Sequence, residues 1–199
     1  MDREGRPEGH EHNDDGRGFG FFIRKGSPDE ASLLAELRVR WGDDVVDQLQ
    51  SSRERARHPR SLTDGERLVV GRATAAVLHD LEASGAIVPE ILYQSSGDNS
   101  GDGRAGVTTD IGRDGGHGGN VWIPTEECSS AEQVWWAATA LQEWEIHELW
   151  EEGRPATWPE CPQHPSTHPL EPDTDGTDTA VWRCPSTQQA ICAIGALVG

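Results

Sequence analysis

The chain has 199 residues, 35 of them acidic and 17 basic, for a formal net charge of −18, and only 34% of its residues are hydrophobic. That length allows one domain, or a small domain with a satellite module. The charge argues against nonspecific nucleic-acid binding, which depends on neutralising phosphates, and against an anionic membrane surface, while it suits a basic protein partner.

Low apolar content with high charge predicts disordered stretches around a modest core. The opening Met-Asp-Arg-Glu-Gly-Arg-Pro-Glu lacks the apolar run of a signal peptide, and no stretch reaches transmembrane length, so the expected location is cytoplasmic. In that compartment four cysteines favour metal binding or free thiols over disulfides.

Residues 1–26 read as a disordered arm, in which His10 and His12 belong to a solvated tail. Phe19, Phe21, Phe22 and Ile23 interrupt its polarity and either dock the arm or form an edge strand. An α+β domain is expected over 27–153. Ser27, Pro28 and Glu30 make an N-cap, an N1 proline and a capping box. Leu33, Leu34, Leu37 and Trp41 follow at helical spacing until Gly42, and Asp43-Asp44 restart a helix through Val45, Val46 and Leu49. Arg53, Arg55, Arg57 and Arg60 form a basic cluster, read as a solvated face paired with acidic residues elsewhere.

Thr63 and Glu66 make a second capping box, opening a helix with Val70, Ala73, Val77, Leu78 and Leu81 on one stripe and Gly85 as its stop. Residues 87–93 read as a strand near a sheet edge because of Pro89. Residues 95–106 read as a flexible loop. Asp98-x-Ser100-x-Asp102-Gly103 matches only the opening of a calcium loop, with Thr109 standing where the bidentate Glu is required. Short strands at 107–111 and 120–123 flank a Gly-rich turn. That turn runs into a strand and not a helix, so it is no phosphate cradle. The longest helix runs from the capping box of Ser129 and Glu132 to Gly153 and Pro155. Eight Glu and no Lys or Arg lie between Glu126 and Glu152, and His147-Glu148 lacks the second histidine of a zincin helix.

The most specific chemical signal is Trp158 to Cys184. Cys161, His164, His168 and Cys184 follow the spacing Cys-x2-His-x3-His-x15-Cys, and each is followed by proline. Zinc takes thiolate and imidazole tetrahedrally, and proline holds each preceding residue extended before the metal arrives. Trp158 and Trp182 are placed to roof the site. His168 is the least determined ligand, with Cys192 the substitute, although Ala190, Cys192 and Ile194 read as one face of a strand.

The Cys-Pro-x-His knuckle, the turn and the Trp-x-Cys-Pro strand resemble a zinc ribbon over about the last forty residues. The same stretch is similar to the tail of uncharacterised proteins from high-GC bacteria. The resemblance implies metal binding over 154–199 and no activity.

The expected fold is α+β: a helical N-terminal half, a small antiparallel sheet, a long Trp-rich helix and a C-terminal zinc-ribbon-like module. The expected function is a non-enzymatic cytosolic protein with a structural zinc site, an acidic surface and a protein partner. Two alternatives stand beside it. One is a zinc-dependent hydrolase using Glu160 or Glu171 as base. The other is an immunity- or antitoxin-like binder of a basic protein.

Overall fold

The computed structural model describes residues 29–47, 59–96, 104–116 and 118–198. The predicted arm, Arg53, Arg55, Arg57 and the Asp98–Asp102 segment lie outside the described residues, as does most of the predicted 95–106 loop. The chain divides into two compact units, Met1–Asp47 and Gln48–Gly199.

In the first unit, α1 spans Asp29–Trp41. Gly42 stops it at φ 90°, and residues 43–47 are again helical. The Arg38 guanidinium ties the two pieces by donating to Asp47 at 2.8 Å.

The second unit opens on the short strand β1 (Arg60–Ser61), followed by α2 (Asp64–Ala83). Its capping box is reciprocal: the Glu66 N–H donates to the Thr63 hydroxyl and the Thr63 N–H donates to Glu66 Oε2. Arg60 also donates to Glu66, at 2.8 Å, as the paired-arginine reading expects. That bond, followed by the one from the Thr63 amide, lowers the Glu66 carboxyl to about 2. Gly85 turns the chain away at φ 67°.

In place of the predicted 87–93 strand the chain forms a run of two short strands, β2 (Glu90–Ile91) within that range and β3 (Gln94–Ser95) just beyond its end. Two backbone features divide it. Pro89 offers no N–H to a ladder, and Tyr93 sits at φ 50°, where its carbonyl accepts from Leu62. β4 (Gly106–Gly112) and β5 (Gly119–Pro124) complete a three-stranded antiparallel sheet in the order β2-β4-β5, and β1 pairs with β3.

α3 (Ser130–Glu151) starts on the Ser129–Glu132 capping box and runs 22 residues, about 33 Å. A second three-stranded antiparallel sheet closes the chain: β6 (Glu171–Thr174), β7 (Ala180–Arg183) and β8 (Ala190–Ala193). The fold is mixed α+β with only antiparallel pairing and no closed barrel among the described residues.

α3 packs on α2, on β5 and on the second sheet. Val77, Leu81, Ile111, Val121, Ile123, Leu141, Leu170 and Trp182 are sealed in the resulting core. No described helix is long and apolar enough to cross a membrane.

Candidate metal centre

The first half of the site is a loop closed at its base. The Leu170 N–H donates to the Pro159 carbonyl at 2.8 Å, and Glu160 bridges Pro169. Inside the loop the His164 N–H donates to Cys161 O and the Thr167 N–H donates to His164 O, each at 3.2 Å. These two turns fold Cys-x2-His-x3-His back on itself. Pro162, Pro165 and Pro169 have no N–H to place, so a segment with little regular structure leaves few unsatisfied donors.

The second half hangs from the end of β7. The Cys184 carbonyl accepts from the Gln188 N–H at 2.8 Å, and the Cys184 N–H donates to Gln189 O at 2.9 Å. Side chains lace the two halves together. Gln163 Nε2 donates to Gln189 Oε1 at 2.8 Å, and the Thr187 hydroxyl donates to Gln163 Oε1 at 3.1 Å.

The result is a four-residue cluster. One donor atom each from Cys161, His164, His168 and Cys184 lies within 4.8 Å of every other. His164 Nδ1 stands 3.6 Å from Cys161 Sγ and 3.4 Å from Cys184 Sγ, and His168 Nε2 stands 3.9 Å from Cys184 Sγ. A tetrahedral ion with metal–sulfur and metal–nitrogen bonds of about 2.3 and 2.0 Å sets S–N separations near 3.5 Å. This Cys2His2 set can therefore hold a metal ion with small adjustments. Cys192 stands opposite Trp182 on β8, and it is not one of the four.

The surroundings prepare the donors. Burial pushes the Cys184 thiol up. The Thr187 hydroxyl, the N–H groups of Thr187 and Ser186, and the Cys161 thiol outweigh it and leave Cys184 at about 6. These donors favour the thiolate, the form that binds metal. Burial, helped by the Asp80 charge, pushes the Cys192 thiol up instead and keeps it protonated. His168 Nδ1 lies 2.8 Å from the Pro169 carbonyl, so the hydrogen resides on Nδ1 and Nε2 keeps its lone pair towards the cluster.

Behind the loops, Trp158 and Trp182 pack edge to face with centroids 5.4 Å apart, both buried. The anchors that hold this wall are residues that hydrophobic pattern alone did not select. Asp80 of α2 is sealed from solvent, and its Oδ2 accepts from Trp182 Nε1 and the Gly195 N–H, both at 2.7 Å. Asp80 Oδ1 accepts from the Leu197 N–H at 2.8 Å. Gln142 of α3 donates to the carbonyls of Trp158 and Leu170, and Trp135 Nε1 donates to Pro172 O. The readable signal was position. Asp80 falls on the Val70–Val77–Leu81 stripe and Gln142 beside Leu141, where a polar side chain survives only with partners.

A second polar group sits at the other end of α3. Glu145 and Glu148 are both buried. Arg113, from the turn after β4, donates to Glu148 and to Glu152. Glu145 Oε1 accepts from the Ile87 N–H at 3.0 Å, and its Oε2 is buried without a partner. The two carboxylates considered as bases are placed otherwise. Glu160 Oε1 accepts from the Ser166 N–H and hydroxyl, and Glu171 is exposed at the start of β6.

Comparison with known proteins finds no family model, no curated protein and no solved structure that matches the chain. Its chemistry is therefore read from its own residues.

Proposed function

We propose that Cys161, His164, His168 and Cys184 bind one zinc ion as a structural centre, in a zinc-ribbon-like arrangement. The chain is then a non-enzymatic acidic protein that binds a protein partner. One observation carries the reading: four protein donors of the zinc-preferred type converge to within 4.8 Å of one another. A full set of four leaves no position for an activated water, which a hydrolase needs. The placement also suits a structural role, because the ion joins the loop before β6 to the loop between β7 and β8. A basic partner fits the net charge of −18.

The test is metal analysis of the purified full chain with X-ray absorption at the zinc edge. One equivalent of zinc with two sulfur and two nitrogen neighbours is expected, reduced to a small fraction in Cys161→Ser and Cys184→Ser and retained in Cys192→Ser. Less than about a tenth of an equivalent in carefully prepared wild type removes the proposal, since a structural zinc site is expected to be tight.

A further inference from the structure

The two histidines of the metal centre are not held alike. His164 Nδ1 stands between both thiols, 3.6 Å from Cys161 Sγ and 3.4 Å from Cys184 Sγ. His168 Nε2 lies 3.9 Å from Cys184 Sγ and closer, at 3.2 Å, to the hydroxyl oxygen of Ser186.

The sense of that second contact follows from the tautomer. His168 Nδ1 is 2.8 Å from the Pro169 carbonyl, which can only accept, so Nδ1 carries the hydrogen and Nε2 is an acceptor. The Ser186 hydroxyl therefore donates to Nε2. That nitrogen has a single lone pair in the ring plane, and the pair serves either the serine hydrogen or a metal ion, never both at once. Ser186 reaches a second ligand through its backbone, since its N–H is one of the donors to the Cys184 sulfur. The N–H thus favours the metal-binding form of Cys184, while the hydroxyl draws His168 away from the metal. Ser186 is exposed, so its hydroxyl finds water whenever it gives up the ring.

The other three donors do not depend on this contact. The His164 N–H bond to the Cys161 carbonyl joins one pair, and Gln163, Gln189 and Thr187 lace that loop to the one carrying Cys184. Exchange at His168 leaves Cys161, His164 and Cys184 in place as a three-donor set.

We propose that His168 is the exchangeable ligand of the centre and that Ser186 is the positioning residue that competes with the metal for His168 Nε2. The inference rests on the zinc reading above and adds how the ion is held and let go. The hydroxyl stabilises the ring in its detached position, which lowers affinity and speeds release. A neutral side-chain hydrogen bond contributes a modest net amount, equivalent to roughly three- to tenfold in a binding constant.

The experiment loads the full-length protein with zinc, measures affinity by competition with a chromophoric chelator, and follows release by stopped flow into excess chelator. Ser186→Ala keeps the N–H to Cys184 and removes only the hydroxyl. It should bind zinc about three- to tenfold more tightly than wild type and release it more slowly by a similar factor. X-ray absorption should still show two sulfur and two nitrogen neighbours. Ser186→Thr restores a hydroxyl and should return both quantities to wild-type values. His168→Ala should still take up zinc, more weakly. In that background Ser186→Ala should change neither affinity nor release, because the ring it acts on is gone. A serine with a merely structural role would shift both backgrounds alike. Equal or weaker binding in Ser186→Ala overturns the proposal. So do the same effect of Ser186→Ala with and without His168, and complete loss of zinc binding in His168→Ala. Wild type without zinc removes the zinc reading and this inference together, whereas zinc-loaded wild type with any of those three results removes the inference alone.

Discussion

Asp80 and Glu145 are both carboxylates on buried helix stripes, and they stand in opposite situations. Asp80 accepts three hydrogen bonds, from Trp182, Gly195 and Leu197. Asp80→Ala leaves the buried Trp182 Nε1–H and the half-buried Gly195 and Leu197 N–H groups without their acceptor and should cost about 2–4 kcal/mol in urea unfolding. Asp80→Asn keeps one acceptor oxygen and should cost clearly less; equal losses in the two variants would mean that the volume of the side chain matters and its bonds do not. Glu145 has one bond and one stranded oxygen. Burial raises its carboxyl to about 7, against the opposing effects of the Ile87 N–H, Arg154 and Arg113, with Glu148 reinforcing the rise. The folded state therefore holds a proton that the unfolded chain releases near pH 4.5. The stability that this proton gives is full below about 4.5 and is lost as pH rises through about 7, by up to about 3 kcal/mol. Glu145→Gln should remove that component, so the difference in unfolding free energy between variant and wild type should grow in the variant's favour from pH 5 to pH 8. A flat difference would show that Glu145 is ionised and solvated throughout.

The helix starts are elements that local chemistry decides. α2 and α3 each carry a complete capping box, on Thr63–Glu66 and Ser129–Glu132. Thr63→Ala and Ser129→Ala should each cost about 1 kcal/mol, measured as a shift in denaturation midpoint with unchanged slope. Glu66 has a second function as the partner of Arg60. Because its folded carboxyl lies at about 2, below the ordinary 4.5, its contribution is present above about 4.5 and is lost as pH falls towards 2. The strands between 87 and 95 are the contrary case. They are two residues each, and their existence depends on partners at Arg60–Ser61 and Gly112–Ile111 that no local pattern names.

At the scale of the molecule, the C-terminal sheet is not a free-standing module. Leu170 and Trp182 are sealed in the same core as Leu81 and Leu141, and Asp80, Trp135 and Gln142 bond its backbone and side chains from two helices. This alters what metal removal should do. The apolar residues of 158–198 alone are too few to order the segment, but α2 and α3 supply the missing surface. Chelation should therefore loosen the two ligand loops first. Amides of His164, Thr167 and Gln188 should exchange faster by on the order of a hundredfold, while those of Gly195 and Leu197, held by Asp80, keep their protection. Uniform loss of protection across 158–198 would mean that the metal, and not the helices, holds the sheet in place. Of the tryptophans on α3, Trp150 is 67% exposed, so its fluorescence should report little on this change.

The ligand spacing, the prolines after each ligand, the two capping boxes and the glycine stops were all legible in the sequence, because each is settled within a few residues by backbone chemistry. The α+β class was legible for the same reason, since helical stripes and short apolar runs announce themselves locally. Three things required the tertiary structure. Bringing Cys184 to within 3.4 Å of His164 depends on the β6–β7 hairpin returning twenty residues later in the chain. The partners of Asp80 lie more than a hundred residues away, and an aspartate on an apolar stripe has no local sign of what it will bond. The stranded Oε2 of Glu145 is visible only when the Ile87 N–H has taken the other oxygen and the core has closed around the pair. Short-range geometry sets elements and ligand knuckles; which buried charge is matched, and by what, is decided only when distant segments close around it.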